Sequence, residues 1–280
     1  MSELQILDST TSLQAMTRVE IDTQIATAKQ YPRDIKKALE QAVFTVTMSK
    51  EIAESCTYAL PRRKKNESTG QYENVFITGP SKRLAEIMLQ GWGNLSFGSR
   101  VIGRENNCIV AEGVCFDMQQ NLKAVKQSQR RITDSKGNLY SEDGILLAGA
   151  AACAIALRNA IFEIIPRCYV EQVQAEARKF LETGLAGKLD KAIKSALDAF
   201  KKYKIEESHV LKMFGYKSIS EITKDDYQNL LGIGVALREG QIKPESIIND
   251  EPIEGEDEGL SKADALNNRL KKNAANKGQK

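Results

Sequence analysis

From Gly144 to Pro166 the chain reads GILLAGAAACAIALRNAIFEIIP, a run of small and apolar residues broken once by the polar pair Arg158 and Asn159. Alanine and glycine let a helix come close to neighbouring backbone, so the segment is expected to lie under a sheet or against other helices in the core. Arg158 then needs a reason to be there. A guanidinium on a buried helix either pairs with a carboxylate or points at an anion that comes from outside, and both readings stay open. Its charge also interrupts the run before the roughly 20 apolar residues that a membrane span needs.

At 280 residues the chain can build one large core, or a main domain with a smaller one attached. The net charge of +3 excludes a histone-like polycation but hides clusters of one sign. The five cysteines, Cys56, Cys108, Cys115, Cys153 and Cys168, form no CxxC pair, and His209 is the single histidine. They read as small buried hydrophobes in a reducing compartment, with no metal site expected. The start MSELQILDST has neither a basic cluster nor an apolar core, so no signal peptide and a cytoplasmic location are expected.

Along the chain, residues 1–18 read as a flexible arm. Ile21, Ile25 and Ala28, then Ile35, Leu39, Ala42 and Val43, predict two helices on either side of Tyr31 and Pro32. A third is expected from Ser49, as N-cap, to Tyr58, with Glu51 in its first turn. Residues 59–72 read as a flexible loop, because Pro61 blocks a helix and the cations Arg62, Arg63, Lys64 and Lys65 follow it. A strand at 74–78 leads through Gly79 and Pro80, placed in the first helical turn, into an amphipathic helix carrying Leu84, Ile87, Met88 and Trp92.

Strand-like segments at 95–104, 108–118 and 122–133 are most economically an antiparallel meander. The middle one is the most apolar, with Val110, Val114, Phe116 and Met118 on one face and Ile109, Ala111 and Cys115 on the other. The third is polar on both faces, so at least one face should meet solvent or a ligand. After the small-residue helix, amphipathic helices recur near 167–182, 188–203, 206–214 and 223–239. From Asn249 an acidic and then a basic stretch reads as disordered. The fold class is α+β, a small antiparallel meander backed by an Ala-rich helix, followed by a helical region and a tail. The expected boundaries are 1–18, a core at 19–182, a helical region at 183–248 and a tail at 249–280.

Three constellations could carry chemistry. The turn at Gly79, with Lys82 and Arg83 at a helix start, would suit a phosphate, although it is not a Walker loop. The run Arg62, Arg63, Lys64 and Lys65 is a basic segment that could reach nucleic-acid phosphates. On the third strand Lys126 and Arg130 share one side and Gln127, Gln129 and Arg131 the other, and the first of these sides is favoured for a groove. Trp92, Phe97, Tyr58 and Tyr72 are the best-placed base platforms, with Trp92 and Phe97 weighed rather as core. Glu112 and Asp117 fall on opposite faces of their strand, which does not make a convergent acidic pair, and no GxSxG or HExxH pattern is present.

The helical start, basic segment, meander with a cationic strand, and Ala-rich helix ending in ALRNAIFEIIP resemble the core of the phage single-strand annealing proteins of the Erf, RecT and Red-beta types. The resemblance covers about residues 20–170. It implies a sheet stacked on a helix and a positively charged groove, with Arg158, Arg130 and Lys126 as groove residues and Asn159 beside Arg158. It also implies binding without bond chemistry and without a cofactor: subunits form a ring or filament, hold single-stranded DNA by its phosphates, and let a complementary strand pair without ATP. The segment at 219–240 is similar to helical appendages of phage recombination proteins that contact recombination or replication partners. Two other classes stay open from the residues alone. One is a nucleotide-acting or DNA-acting enzyme, a nuclease or transferase, using the Gly79–Arg83 turn; the other is an adaptor that docks through its basic tail.

Overall fold

The computed structural model describes residues 17–65, 72–134, 136–185 and 187–249, and the side chains of all of these except 63–65, 72 and 73. The expected arm therefore lies outside the described residues apart from Thr17 and Arg18, which are helical, and the expected tail lies outside them apart from Asn249. Helix α1 covers 17–30 and α2 covers Ile35–Val46, separated at Tyr31 and Pro32 as the apolar spacing predicts. Asp34 caps α2 by accepting from the Lys37 amide. Ser49 caps α3, as predicted, but the helix is only Lys50–Glu54, because the chain turns extended at Thr57.

The segment read as a loop is mostly strand. Strand β1 (Thr57–Lys65) pairs antiparallel with β2 (Tyr72–Pro80), and Pro61 sits opposite Phe76 in this two-stranded ribbon. Proline is incompatible with a helix interior but is tolerated in a strand that lacks a partner on one side. The buried Tyr58, Ala59 and Leu60 supply the apolar payload that the following cations obscure. Pro80 ends β2 rather than opening the helix: Ser81 is the N-cap of α4 (Lys82–Trp92), its Oγ accepting from Leu84 N and donating to Ser55 O. Leu84, Ile87, Met88 and Trp92 of α4 are buried as expected.

The meander forms as predicted, with β3 (Leu95–Glu105), β4 (Cys108–Asp117) and β5 (Leu122–Arg131) in that spatial order. Asn106 and Asn121 at its turns, and Asn94 just before β3, adopt positive φ, the conformation that asparagine tolerates best after glycine. Helix α5 (Glu142–Ile164) crosses one face of this sheet, capped by Ser141 with Glu142 and Asp143 in its first turn. Its buried stripe Gly149, Ala152, Ala156 and Ala160 follows helical spacing. The approach is closest at Gly113 on β4, where a Cβ would stand 2.2 Å from the carbonyl carbon of Ala156. The glycine is required because helix backbone lies where a side chain would go.

With 23 residues and a mean hydropathy of 1.9 over its most apolar window, α5 would pass for a membrane span on length and composition. Here 39% of that window is buried, with the meander on one side and Tyr58 and the Gly240 turn on the other. Helices α6 (Arg167–Gly184), α7 (Leu189–Lys201), α8 (Glu207–Phe214) and α9 (Lys224–Arg238) fall where the periodicity places them, with a 3₁₀ turn at Ile219–Glu221 and a short α10 (Pro244–Ile248) added.

Two apolar clusters result. One joins α2, α4, α5 and α6 with Cys115 and Ala124 of the meander; the other joins α7 to α10 with Tyr58, Ala59 and Leu60 of β1. The β1–β2 ribbon thus packs with the C-terminal helices, and a Cβ on Gly232 of α9 would meet Ala59 N at 2.7 Å. The cysteines are all unpaired; Cys56 and Cys115 are buried, while Cys168 is exposed, against the expectation that all five are buried. Burial pushes the Cys56 thiol up to about 12 and the Cys115 thiol to about 11.

Candidate functional site

Arg158 lies on the side of α5 away from the meander and is 5% exposed. Its Nε and one Nη donate to Asn159 Oδ1 at 3.1 and 2.9 Å, and its guanidinium lies over the Tyr58 ring, 4.8 Å from the centroid. Tyr58 in turn fills the space left by Gly79, where a Cβ would come within 2.6 Å of its hydroxyl. The second terminal nitrogen, Nη1, is buried without a hydrogen-bond partner. The Glu163 carboxylate, poorly placed for Arg158 by its spacing on the helix, pairs with Lys126 at 3.1 Å instead.

A carboxylate from the far end of the chain stands nearby. Glu239, at the C-cap of α9, accepts from the Lys82 amide at 3.0 Å through Oε1 and from Gln241 Nε2 at 2.6 Å through Oε2. Burial raises its pKa above the ordinary carboxylate range, and the Arg158 guanidinium pulls against that rise. Arg130 Nη1 donates to the Gln241 carbonyl at 3.2 Å. The start of α4, the end of β5, the centre of α5 and the end of α9 therefore converge on the turn at 239–241.

Of the residues that sequence singles out, Lys82, Arg130, Arg158 and Asn159 meet here. Lys126 stands one helical turn further along α5 through Glu163. Lys82 is part-exposed and Arg83 exposed, and both pair with Glu86 on their own helix. The phosphate-binding amides imagined at this helix start already have acceptors, Glu239 for Lys82 and Ser81 for Leu84. Arg62 is half-buried in β1 opposite Val75; Arg63, Lys64 and Lys65 continue that strand, with side chains outside the described set. The ribbon runs from the Tyr58–Gly79 pair beside Arg158 for about 23 Å over seven further residues of strand, packed at Phe76 and Asn74 against α8.

The side of β5 favoured for a groove, with Lys126 and Arg130, is the side that α5 covers, since Ser128 and Ala124 on it are buried. Lys123, Gln127, Gln129 and Arg131 form the exposed side. Among the proposed base platforms, Trp92 and Tyr58 are buried, Phe97 is half-exposed rather than core, and the Tyr72 side chain is outside the described set.

Asp117, the acid a nuclease reading would use, is committed elsewhere. Arg33 grips it with two 2.6 Å hydrogen bonds, and both side chains are buried. The same carboxylate accepts from the Gln119 and Gln120 amides, and Arg33 also lies over Trp92. Gln119 completes the clamp by accepting from Arg33 N and from Asn94 Nδ2. Glu112, on the opposite face, pairs with Arg100. No group of His, Cys, Asp and Glu able to hold a metal occurs among the described residues. Sequence reasoning missed Arg33, Glu239 and Gln241, because each acts across more than eighty residues of chain and carries no local motif. No protein-family model, curated protein or solved structure matches the chain.

Proposed function

We propose that the protein binds single-stranded DNA and anneals complementary strands without ATP, in the cytoplasm of a phage-infected cell. The observation that carries this reading is the convergence of Lys82, Arg130, Arg158 and Asn159 on one turn, flanked by Lys126 and Arg83, below a ribbon that bears Arg62, Arg63, Lys64 and Lys65. Cations on four separate elements gathered around α5 suit a ligand with regularly spaced negative charge. Base platforms among the described residues are few, so the backbone is gripped and the bases stay available for pairing. The test mixes complementary labelled oligonucleotides with the protein and no nucleotide. Pairing faster than the spontaneous rate supports the reading; unchanged pairing together with no gel shift on single strands contradicts it.

Annealing of this kind needs subunits side by side, and β3 suits that role. Among the described residues it is an edge strand of 11 residues with no partner on its outer side, and Phe97, Val101 and Ile102 on it are about half exposed. Leu146 and Leu147 at the start of α5 are each 71% exposed. A second copy of the chain would cover this surface, giving a ring or filament according to whether the contact closes. The double variant Phe97→Lys, Val101→Lys should raise the concentration needed for assembly at least about tenfold in sedimentation velocity, since each lysine would have to be buried. Unchanged assembly would rule out β3 as the interface. The C-terminal helices remain available for recombination or replication partners.

A further inference from the structure

We infer that the N-terminus of α4 and the Arg158 guanidinium form a binding site for one phosphate group, which the Glu239 carboxylate fills in this conformation. The inference rests on the single-strand-binding reading only for the source of the phosphate, not for the site.

Four observations carry it. First, Glu239 is badly placed by its own helix, because an anion at the C-cap of α9 opposes the helix dipole. Its position is explained by what it touches, the Lys82 amide at the positive end of α4. Secondly, Arg158 is nine-tenths buried and one of its terminal nitrogens has no acceptor, so the site offers a donor that a two-oxygen carboxylate leaves unused. A phosphate sets its anionic oxygens tetrahedrally and farther apart than those of a carboxylate, so it can take both the amide and that nitrogen.

Thirdly, the cations around this pair are rigidly backed. Tyr58 supports the guanidinium from one side and Asn159 fixes its plane, so the donor geometry exists before any ligand arrives. Fourthly, the carboxylate arrives on a turn that can be exchanged as a unit: Gly240 has φ +66°, and the turn is tied to the meander by Gln241 and Arg130. Displacing Glu239 would free Gln241 and Arg130 in the same step. The site would then accept a phosphate diester from a nucleic-acid strand or a free phosphate ion.

The experiment uses the full chain with Glu239→Ala, and Glu239→Gln as the variant that keeps shape should the first fail to fold. Thermal unfolding is followed with inorganic phosphate against sodium chloride of equal ionic strength. The expected result is a Tm rise of about 2–4 °C specific to phosphate at roughly ten times its Kd, larger than in the wild type. That rise should vanish when Arg158→Gln is added. No phosphate-specific rise in either folded Glu239 variant overturns the inference, as does a rise that survives loss of Arg158.

A second arm measures binding of a labelled single-stranded oligothymidylate across a salt series. Tighter binding by the Glu239 variants, about threefold to tenfold, with the log–log salt slope steeper by about 0.7, identifies a strand phosphate as the ligand. A phosphate-specific Tm rise with unchanged oligonucleotide binding assigns the site to free phosphate. The same rise when neither protein binds the oligonucleotide keeps the site and overturns the annealing reading.

Discussion

Asp117→Ala should unfold at a markedly lower urea concentration than the wild type, with a loss of about 3–5 kcal/mol, because it leaves the Arg33 guanidinium buried and unpaired. The pair is buried, bidentate and shared with the Gln119 and Gln120 amides, so removing the carboxylate takes the acceptor from several donors at once. The effect belongs to a clamp between three parts of the chain. Arg33 and Asn94 hold the α1–α2 junction and the α4–β3 turn to the far end of β4. Replacing both partners, as Arg33→Met with Asp117→Leu, should recover much of the loss, since a well-packed apolar pair removes the need for either charge. A loss below about 1 kcal/mol for Asp117→Ala, read from the urea midpoint at unchanged m, would contradict this account of the clamp. The variant also bears on the nuclease alternative. If Asp117 is structural, the fraction that remains folded should bind single strands as the wild type does.

Gly113→Val should be still less tolerated. The Ala substitution alone places a carbon 2.2 Å from Ala156 backbone, and helix backbone cannot step aside as a flexible side chain can. Overpacking of this kind costs about 1–3 kcal/mol where neighbours can move, and more where they cannot. Valine, with two further methyls in the same gap, should separate α5 from β4 and prevent accumulation of folded protein. Gly98→Val on β3, where nothing lies within 4 Å of the added carbon, is the matched control and should fold normally. A Gly113→Val protein that unfolds with the wild-type midpoint in urea would show that α5 does not rest on β4 as described.

These two sites mark how far the sequence could be read. The small-residue run announces a helix in close contact with a flat partner, and the meander before it supplies that partner, because alternation and turn asparagines are local signals. Gly113 itself gives no sign, since a glycine inside a strand looks the same whether helix backbone or open solvent lies above it; Gly98 and Gly113 differ only in three dimensions. The β1–β2 ribbon was hidden for a different reason. Pro61 and the cations after it dominate the local pattern, while the residues that fix the strand, Tyr58 to Leu60, are chosen by contact with α9, far along the chain.

Arg158 shows the same limit at the site. Its burial could be inferred from the helix around it, and Asn159 from adjacency. Glu239, eighty-one positions later, could not, because a glutamate near a helix end is ordinary in isolation. What first reads as a choice between an internal carboxylate and an external anion is resolved by the fold into a partly satisfied arrangement, in which the carboxylate is present and one guanidinium nitrogen still lacks an acceptor.

The most direct test of the central claim is the salt dependence of binding to a labelled single-stranded oligonucleotide, measured beside the duplex of the same sequence. Binding at low salt is expected to favour the single strand. Its log K should fall linearly with log salt, at a slope of about −3 to −5 if four to seven phosphates are held at roughly 0.7 per phosphate. Arg130→Gln and Lys126→Gln should each lower that slope by about 0.7. No binding to the single strand at low salt would contradict the account.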